Sequence, residues 1–506
     1  MFLMLSDAWK KLQNGSDIRG VALEGIEGQH VNLTEEKVYV LAKAFALWLN
    51  RKTGKNLEEL TVAVGTDSRL SGPALRAATI KGLAEMGVSV ADCGMASTPA
   101  MFMTTVIEGY EYDGSVMLTA SHLPFNRNGM KFFTRDGGLE KADITAVLEI
   151  AENETDGTSY NGNGKVFEVD FISVYAADLV EKIRKATGDV KPLEGLKIIV
   201  DAGNGAGGFY AEKVLEPLGA CTCGSQFLEP DGSFPNHIPN PEDGEAMASI
   251  QKAVLDNKAD FGIIFDTDVD RAGAVDRNGK EVNRNRIIAM ISAIAIEEHP
   301  GSTIVTDSIT SSGLKKFIEE DLGGVHHRFK RGYKNVINEA IRLNNEGIYT
   351  PVAIETSGHG ALKENYFLDD GAFLIAKLLI KMAALRKEGK HIDQLIENLE
   401  EPSESKEYRM NLLMDDFKDY GMNVIKELGD FAATVPGWTI EPKNYEGIRV
   451  SCDKDSGDGW FLLRMSLHDP LMPMNIESNS VGGVEKIVAK LKDFLGGFDK
   501  LDTSVL

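Results

Sequence analysis

The sequence predicts an α/β protein of three similar domains followed by a smaller α+β domain at the C-terminus. Three observations lead there. The chain has 506 residues, too many for one hydrophobic core. A plan of strand, Gly/Ser loop, helix, Gly turn and strand opens at Leu60 (LTVAVGTDSRLSGPALRAATIKGLAEMGVSVADCG). It returns at Leu196 (LKIIVDAGNGAGGFYAEKVLEPLGACTCG) and again at Ser302 (STIVTDSITSSGLKKFIEEDLGGVHHR). Such βαβ-like openings, more than a hundred residues apart, point to domains of related topology with largely parallel sheets. The last hundred residues or so lose that plan, which sets the fourth domain apart.

Composition bounds the function. A hydrophobic content of 43% and a charged content of 26% are those of an ordinary globular protein. The formal net charge of −23 argues against nucleic acid or an anionic membrane as partner, while leaving room for a small anion at a locally cationic site. Cys93, Cys221, Cys223 and Cys452 have no C-x-x-C spacing, which predicts free thiols in a reducing compartment. The opening MFLML is short for a signal segment and Asp7 follows at once. Apolar runs such as Ile287 to Ile296 fall short of the ~20 residues a membrane span needs. A cytoplasmic protein is expected.

In chain order, residues 35–50 show helical periodicity, preceded by the turn-rich NGSDIRG with Arg19. Residues 115–133 (SVMLTASHLPFNRNGMKFF) read as a β-rich run, a polar turn and a second short run. Pro124 stops any helix there, and Asn126, Asn128 and Gly129 are turn formers. The turn holds Ser121 and His122, and the returning run carries Lys131. This is a way to build a nucleophile beside a cation, although a turn serine also commonly just bonds the backbone.

In the second domain, DAGNGAGG satisfies G-x-G-x-x-G between a strand and a helix. It fits either a dinucleotide loop or tight strand–helix packing. FGIIFDTDVDRAGAVD then sets Asp266, Asp268 and Asp270 at a strand end, followed by Arg271. Three alternate carboxylates repel unless a cation sits among them, and oxygen-only ligands favour a hard ion such as Mg²⁺. A solvated acidic turn is the alternative. An EF-hand is excluded, since Arg271 and Arg277 stand where Gly and Glu are required.

In the third domain, HHRFKRGYKN gathers Arg328, Lys330, Arg331 and Lys334 around Gly332, a loop able to meet a phosphate. AIETSGHG follows, with Glu355, Ser357 and His359 alternating. In an extended segment they share one side, where carboxylate and hydroxyl can bond sugar hydroxyls and His359 can act as acid or base. Toward the C-terminus, residues 415–434 read as helix, GIRVSC and GWFLLRMSL as strands joined by DKDSGDG, and 484–495 as a closing helix. Arg464 and Ser466, in RMSLHDP, are candidates to hold a second anion. Polar stretches at 154–164, 276–280 and 400–407 suggest domains at 1–162, 163–278, 279–400 and 401–506. No G-x-S-x-G elbow or Walker-type loop occurs, so Ser121 beside a candidate Mg²⁺ site, with Arg and Lys for anions, points to phosphoryl transfer.

The combination resembles the α-D-phosphohexomutase family of phosphoglucomutases and phosphomannomutases. TASHLPFNRNGMKFF resembles its phosphoserine loop, FDTDVDR its metal loop, ETSGH its sugar-binding loop and RMSLHDP its phosphate-binding loop, in the family's order. PDGSFPNHIPNPE, residues 230–242, resembles another family segment, and DAGNGAGG looks like the family's second-domain βα turn. The resemblance implies mixed, largely parallel sheets in three domains, with a fourth, around a central cleft. It implies that Ser121 carries the phosphoryl group and that Asp266, Asp268 and Asp270 hold one Mg²⁺ together with a phosphoserine oxygen. Arg271, Lys131 and Arg19 would act at the transferring phosphate, with His359 and Lys131 handling protons. Glu355 and Ser357 would hold sugar hydroxyls. Arg464 and Ser466, helped by His468, would hold the other phosphate, and Lys330 and Arg331 of the basic loop are further candidates for substrate binding.

The implied reaction interconverts a hexose 1-phosphate and a hexose 6-phosphate of glucose or mannose through a bisphosphate, with glucose 1,6-bisphosphate as activator. A monomer or homodimer is expected. A phosphoglucosamine mutase and a non-catalytic sugar-phosphate-binding paralogue are the alternatives, with a nucleotide-dependent oxidoreductase as the outsider. The sequence departs from the family pattern at Leu123, at Thr267 and Val269 in place of metal-loop glycines, and at Leu467, His468 and Pro473 around the phosphate loop.

Overall fold

The computed structural model describes residues 5–155, 162–414, 416–466 and 469–506. The chain divides into two compact units, Met1–Asn283 with Ser357–Gln394, and Arg284–Thr356 with Leu395–Leu506. The first unit holds two of the three α/β sheets. The second holds the strands Val325–Arg328, Thr303–Thr306 and Val352–Ile354 of the third, together with the C-terminal domain.

The first sheet runs Gln13–Asn14, Asp17–Val21, Arg127–Thr134, Gly114–Leu118, Thr61–Thr66, Ser89–Met95, Val166–Glu168, with Gly137–Gly138 beside Arg127–Thr134. Thr61–Thr66 is parallel to both its neighbours, whereas Arg127–Thr134 is antiparallel to both of its own in the main path. The predicted helix forms as Glu35–Thr53. Thr34 caps its start by accepting the Lys37 N–H, and Gly54 closes it at φ 73°. Its buried Leu41, Phe45 and Leu49 share one core with Val116, Leu118, Met130 and Phe132. Phe45 and Phe132 meet with ring centroids 4.7 Å apart. Burying a ring of this size contributes about 1.5–3 kcal/mol. Because Met130 and Phe132 are fixed to the core, strand alternation aims Lys131 at the opposite face.

The second sheet runs Glu281–Val282, Ala272–Asp276, Phe261–Phe265, Ile198–Asp201. Only Ile198–Asp201 and Phe261–Phe265 pair in parallel, while Phe261–Phe265 and Ala272–Asp276 form an antiparallel hairpin. The ACTCG run expected to be a strand contributes single bridges, Lys197 to Cys221 and Asp201 to Gln226 nearby. The DRNGK stretch, read as a boundary, is a tight turn inside this sheet, with the Asp276 N–H donating to the Lys280 carbonyl at 2.9 Å. In DAGNGAGG, a Cβ on Gly208 would stand 2.2 Å from the Leu228 carbonyl oxygen and one on Gly205 2.7 Å from that of Thr267. These glycines serve close backbone packing.

In the second unit, Val325–Arg328, Thr303–Thr306 and Val352–Ile354 pair in parallel. The C-terminal domain is an antiparallel sheet, Glu404–Asn411, Leu471–Ser478, Gly459–Leu463, Ile448–Cys452, Trp438–Ile440. It shares a core with helices Lys418–Ala432 and Gly483–Leu495. Three of these strands, the short Trp438–Ile440 among them, escaped the sequence reading, two of them for identifiable reasons. Glu404–Asn411 begins inside an acidic stretch and exposes most of its residues. Leu471–Ser478 is a central strand interrupted by Pro473, a residue usually confined to edges. Among the described residues, no helix is long and apolar enough to cross a membrane.

Candidate active site

The strand Gly114–Leu118 delivers the chain to a loop in which Ser121 is 3% exposed and adopts φ 51°, a left-handed conformation uncommon outside glycine. Its amide donates to Thr119 Oγ1 at 2.9 Å. Its hydroxyl donates to Asp266 Oδ2 at 2.9 Å and accepts from Arg271 Nη2 at 3.2 Å. His122 Nδ1 lies 3.3 Å away. Burial, reinforced by Arg271 and Arg19, pushes the His122 pKa down to about 2, so this imidazole is neutral and a poor base.

The three aspartates leave the strand Phe261–Phe265 together, one carboxylate oxygen of each within 4.8 Å of the others. Burial, then the charges of Asp270 and Asp268, push Asp266 well above the ordinary carboxylate range. Asp268 Oδ1 and Asp270 Oδ1 are buried without hydrogen-bond partners. A buried, oxygen-only, under-bonded set of this kind fits a hard divalent cation. Of Thr267 and Val269, which separate the three aspartates, only Val269 takes a left-handed φ, 68°.

Cations surround the cluster. The Lys131 ammonium pairs with Asp268 at 3.1 Å and also with Asp270. Burial opposes charge on Asp270, but Lys131, His359 and Arg271 outweigh it and hold the carboxyl below its usual range. Arg271 is 2% exposed. It places Nε and Nη2 on Asp266 Oδ2, each at 3.1 Å, and Nη1 3.3 Å from Asn240 Oδ1. Arg19 pairs with Asp17 at 3.1 Å and directs Nη1 at the Ala120 carbonyl, 3.5 Å away.

His359 joins this group instead of continuing an extended segment with Glu355. The strand Val352–Ile354 ends before Glu355, and Gly358 at φ 92° turns the chain. His359 Nδ1 lies 2.5 Å from Asp369 and 4.0 Å from Asp270. Burial disfavours its charge, but these carboxylates prevail and raise its pKa to about 9. Asp369 had no signal in the sequence, being one acid in YFLDDG. Ser357, also in the first unit, is 7% exposed, and its buried hydroxyl has no hydrogen-bond partner.

In the second unit, Glu355 is buried, and its Oε1 accepts the Gly332 N–H at 2.6 Å, which fastens the basic loop. Arg331 places Nε 3.5 Å from Asp307, and its amide donates to Glu446 at 3.2 Å. Arg464 Nη1 lies 4.0 Å from the same Glu446. The two arginines therefore converge on a carboxylate that sequence reading missed. Lys330 is exposed, 5.8 Å over the Phe329 ring. The Ser466 amide donates to the Leu471 carbonyl at 2.9 Å, and its hydroxyl accepts the Asp469 N–H at 3.3 Å. Leu467 and His468 lie outside the described residues.

One further residue of the first unit was missed. Arg69, in the loop after strand Thr61–Thr66, is 1% exposed. Its guanidinium donates to the carbonyls of Ser121, Leu123, Pro124 and Arg127.

Comparison with known proteins agrees with this geometry. Residues 10–158, 173–279 and 283–402 match the models for phosphoglucomutase/phosphomannomutase alpha/beta/alpha domains I, II and III respectively. The chain is 31% identical over 473 residues to a phosphoglucomutase of Neisseria gonorrhoeae, covering 93% of this chain and 94% of that one. It is 30% identical over 490 residues to a phosphomannomutase/phosphoglucomutase of Pseudomonas aeruginosa, covering 96% of each. A solved phosphoglucomutase/phosphomannomutase family protein from Burkholderia thailandensis superposes with a TM-score of 0.78 at 26% identity, covering 98% of each chain. With its serine loop, carboxylate cluster and domain order, the chain belongs to the phosphoglucomutase/phosphomannomutase family, the α-D-phosphohexomutases.

Proposed function

We propose that this chain is an isomerase that interconverts hexose 1-phosphate and hexose 6-phosphate, with glucose or mannose as the sugar, through phospho-Ser121 and a hexose bisphosphate. The observation that carries the reading is the Ser121 hydroxyl held between the Asp266 carboxylate at 2.9 Å and the Arg271 guanidinium at 3.2 Å. In the first half-reaction a hexose hydroxyl oxygen gives up its proton and forms the new bond to phosphorus as the Ser121 Oγ–P bond breaks, and the released serine oxygen takes up a proton. In the second, Ser121 takes the other phosphoryl group from the reoriented bisphosphate.

Asp266, Asp268 and Asp270 would hold Mg²⁺ together with an oxygen of the phosphorylated serine, and the bound ion would supply charge neutralisation. Arg271, Lys131 and Arg19 would stabilise negative charge on the transferring group. His359, already protonated, and Lys131 suit proton donation to a departing oxygen. Glu355 and Ser357 would bond the sugar hydroxyls. Lys330, Arg331, Arg464, Ser466 and His468 would receive the phosphate that is not in transfer. Glucose 1,6-bisphosphate would prime Ser121, and a cytoplasmic monomer or homodimer would suffice for the reaction.

The test is conversion of glucose 1-phosphate, mannose 1-phosphate and glucosamine 1-phosphate, each with Mg²⁺ and a catalytic amount of the matching bisphosphate. Turnover of the glucose or mannose ester is expected. Turnover of glucosamine 1-phosphate alone would replace the sugar assignment, and folded protein that converts none would remove the mutase reading.

A further inference from the structure

Ser121 is presented in a left-handed conformation that costs a non-glycine residue about 1–2 kcal/mol, so something outside the loop must hold it there. The observed holder is Arg69. Nη1 donates to the Pro124 carbonyl at 2.8 Å and the Arg127 carbonyl at 2.9 Å. Nη2 donates to the Leu123 carbonyl at 2.6 Å and to that of Ser121. One planar fork thus gathers four carbonyls of a single turn, an arrangement that the compact ammonium of lysine does not reproduce.

The guanidinium is itself held from two sides. Asp67 lies 3.4 Å from Nε, and its Oδ1 accepts the Arg69 amide at 2.9 Å. The Phe234 ring covers Cζ at 5.4 Å, a cation–π distance. Phe234 belongs to PDGSFPNHIPNPE, the stretch to which the proposed chemistry gives no role. This stretch lies directly on the Arg69 loop: a Cβ on Gly232 would stand 2.4 Å from the Ser68 carbonyl oxygen and 2.5 Å from the Leu70 amide. It also supplies Asn240, whose Oδ1 receives the Arg271 guanidinium at 3.3 Å. The two arginines that hold the nucleophile, one by its turn and one by its hydroxyl, are therefore backed by the same segment.

We propose that Arg69 is a positioning residue that sets the presentation of Ser121, and that residues 230–242, through Phe234, position Arg69. The inference deepens the mutase reading and rests on it for its kinetic consequence, while its structural part can be measured without any activity. In Arg69→Gln, amide hydrogen exchange over residues 119–127 is expected to accelerate at least about tenfold, with strand Gly114–Leu118 unchanged. In the mutase assay, kcat is expected to fall at least about 30-fold with KM within about threefold. Arg69→Lys is expected to recover only a minor part of that loss.

Wild-type loop exchange, wild-type kcat, or full recovery by lysine would each overturn the proposal. If Arg69→Gln does not fold, Phe234→Leu decides instead. It is expected to speed loop exchange and lower kcat about three- to tenfold, and wild-type behaviour in either measurement sinks the idea. A wild-type protein without mutase activity would remove the functional reading, and loop exchange would still test the clamp.

Discussion

Around Ser121 the charged side chains are matched at short range and buried, with Arg271 on Asp266 and Lys131 on Asp268 both at 3.1 Å and His359 on Asp369 at 2.5 Å. The candidate anion-holding residues of the second unit are matched more loosely. Arg331 is 3.5 Å from Asp307, with its side chain 24% exposed, and Arg464 is 4.0 Å from Glu446. The difference teaches a division of labour. Short buried pairs hold a geometry before substrate arrives, as stabilisation of developing charge demands. Long ion pairs at a loop leave a guanidinium able to turn toward a ligand's phosphate.

That contrast can be broken at several points, beginning with the severest. Ser121→Ala is expected to lose at least about 10³-fold in kcat, and its intact mass should lack any phosphorylated fraction. Near-normal turnover would show that the buried cluster carries no chemistry. Chelation with EDTA is next, expected to lower activity at least about 100-fold with recovery on added Mg²⁺. Full activity in excess chelator would mean that the under-bonded aspartates need no ion. Arg464→Ala is expected to act differently in kind, raising KM about 10- to 100-fold while kcat changes less. A pure kcat effect would move Arg464 from recognition to chemistry.

Two smaller effects sharpen the picture of the buried side. The folded pKa of His359, about 9, lies above its unfolded value of about 6.5. Its contribution to stability is therefore fully present below about pH 6.5 and is lost as pH rises through about 9. Thermal melts should fall by several degrees between about pH 7 and 10, and less so in His359→Gln. Equal slopes would remove His359 as the titrating group. Val269→Gly should relieve the strain of a β-branched residue at φ 68° but lose a fully buried side chain. The two effects nearly offset, so a stability change within about 1 kcal/mol is expected. A larger change, measured by urea titration, would show that strain or packing at this turn dominates.

The same contrast governs how much could be read from the residues. The proposed nucleophile, Ser121, and the clustered carboxylates sit in contiguous strings where a strand runs into its loop, so residue type and spacing brought them forward as candidates. Apart from Arg271, five residues from Asp266, their partners lie far away in the chain. Arg69 is 52 positions from Ser121, in a Gly/Ser loop with no pattern of its own, and Asp369 is one of two adjacent acids. Glu446 is likewise a single acid before a strand, and only folding brings Arg331 and Arg464 to it. The alternation of Glu355, Ser357 and His359 held only while the segment was imagined as extended, and Gly358 turns it. At the fold level, periodicity revealed the helices. The antiparallel hairpin of the second sheet and the strand containing Pro473 depend on pairings that no local pattern announces.

The left-handed backbone at Ser121 bears also on which substitutions selection could ever try. A threonine hydroxyl can carry a phosphoryl group, and in most tables of amino-acid exchange the replacement ranks among the mildest. At φ 51° the extra methyl of a β-branched residue crowds the main chain, so the mildest exchange on paper carries a strain here of the kind Val269 bears at φ 68°. Thr119, two residues earlier, serves the turn itself, its hydroxyl accepting the Ser121 amide at 2.9 Å. The suitability of serine here is thus a matter of torsion angle as well as of reactivity.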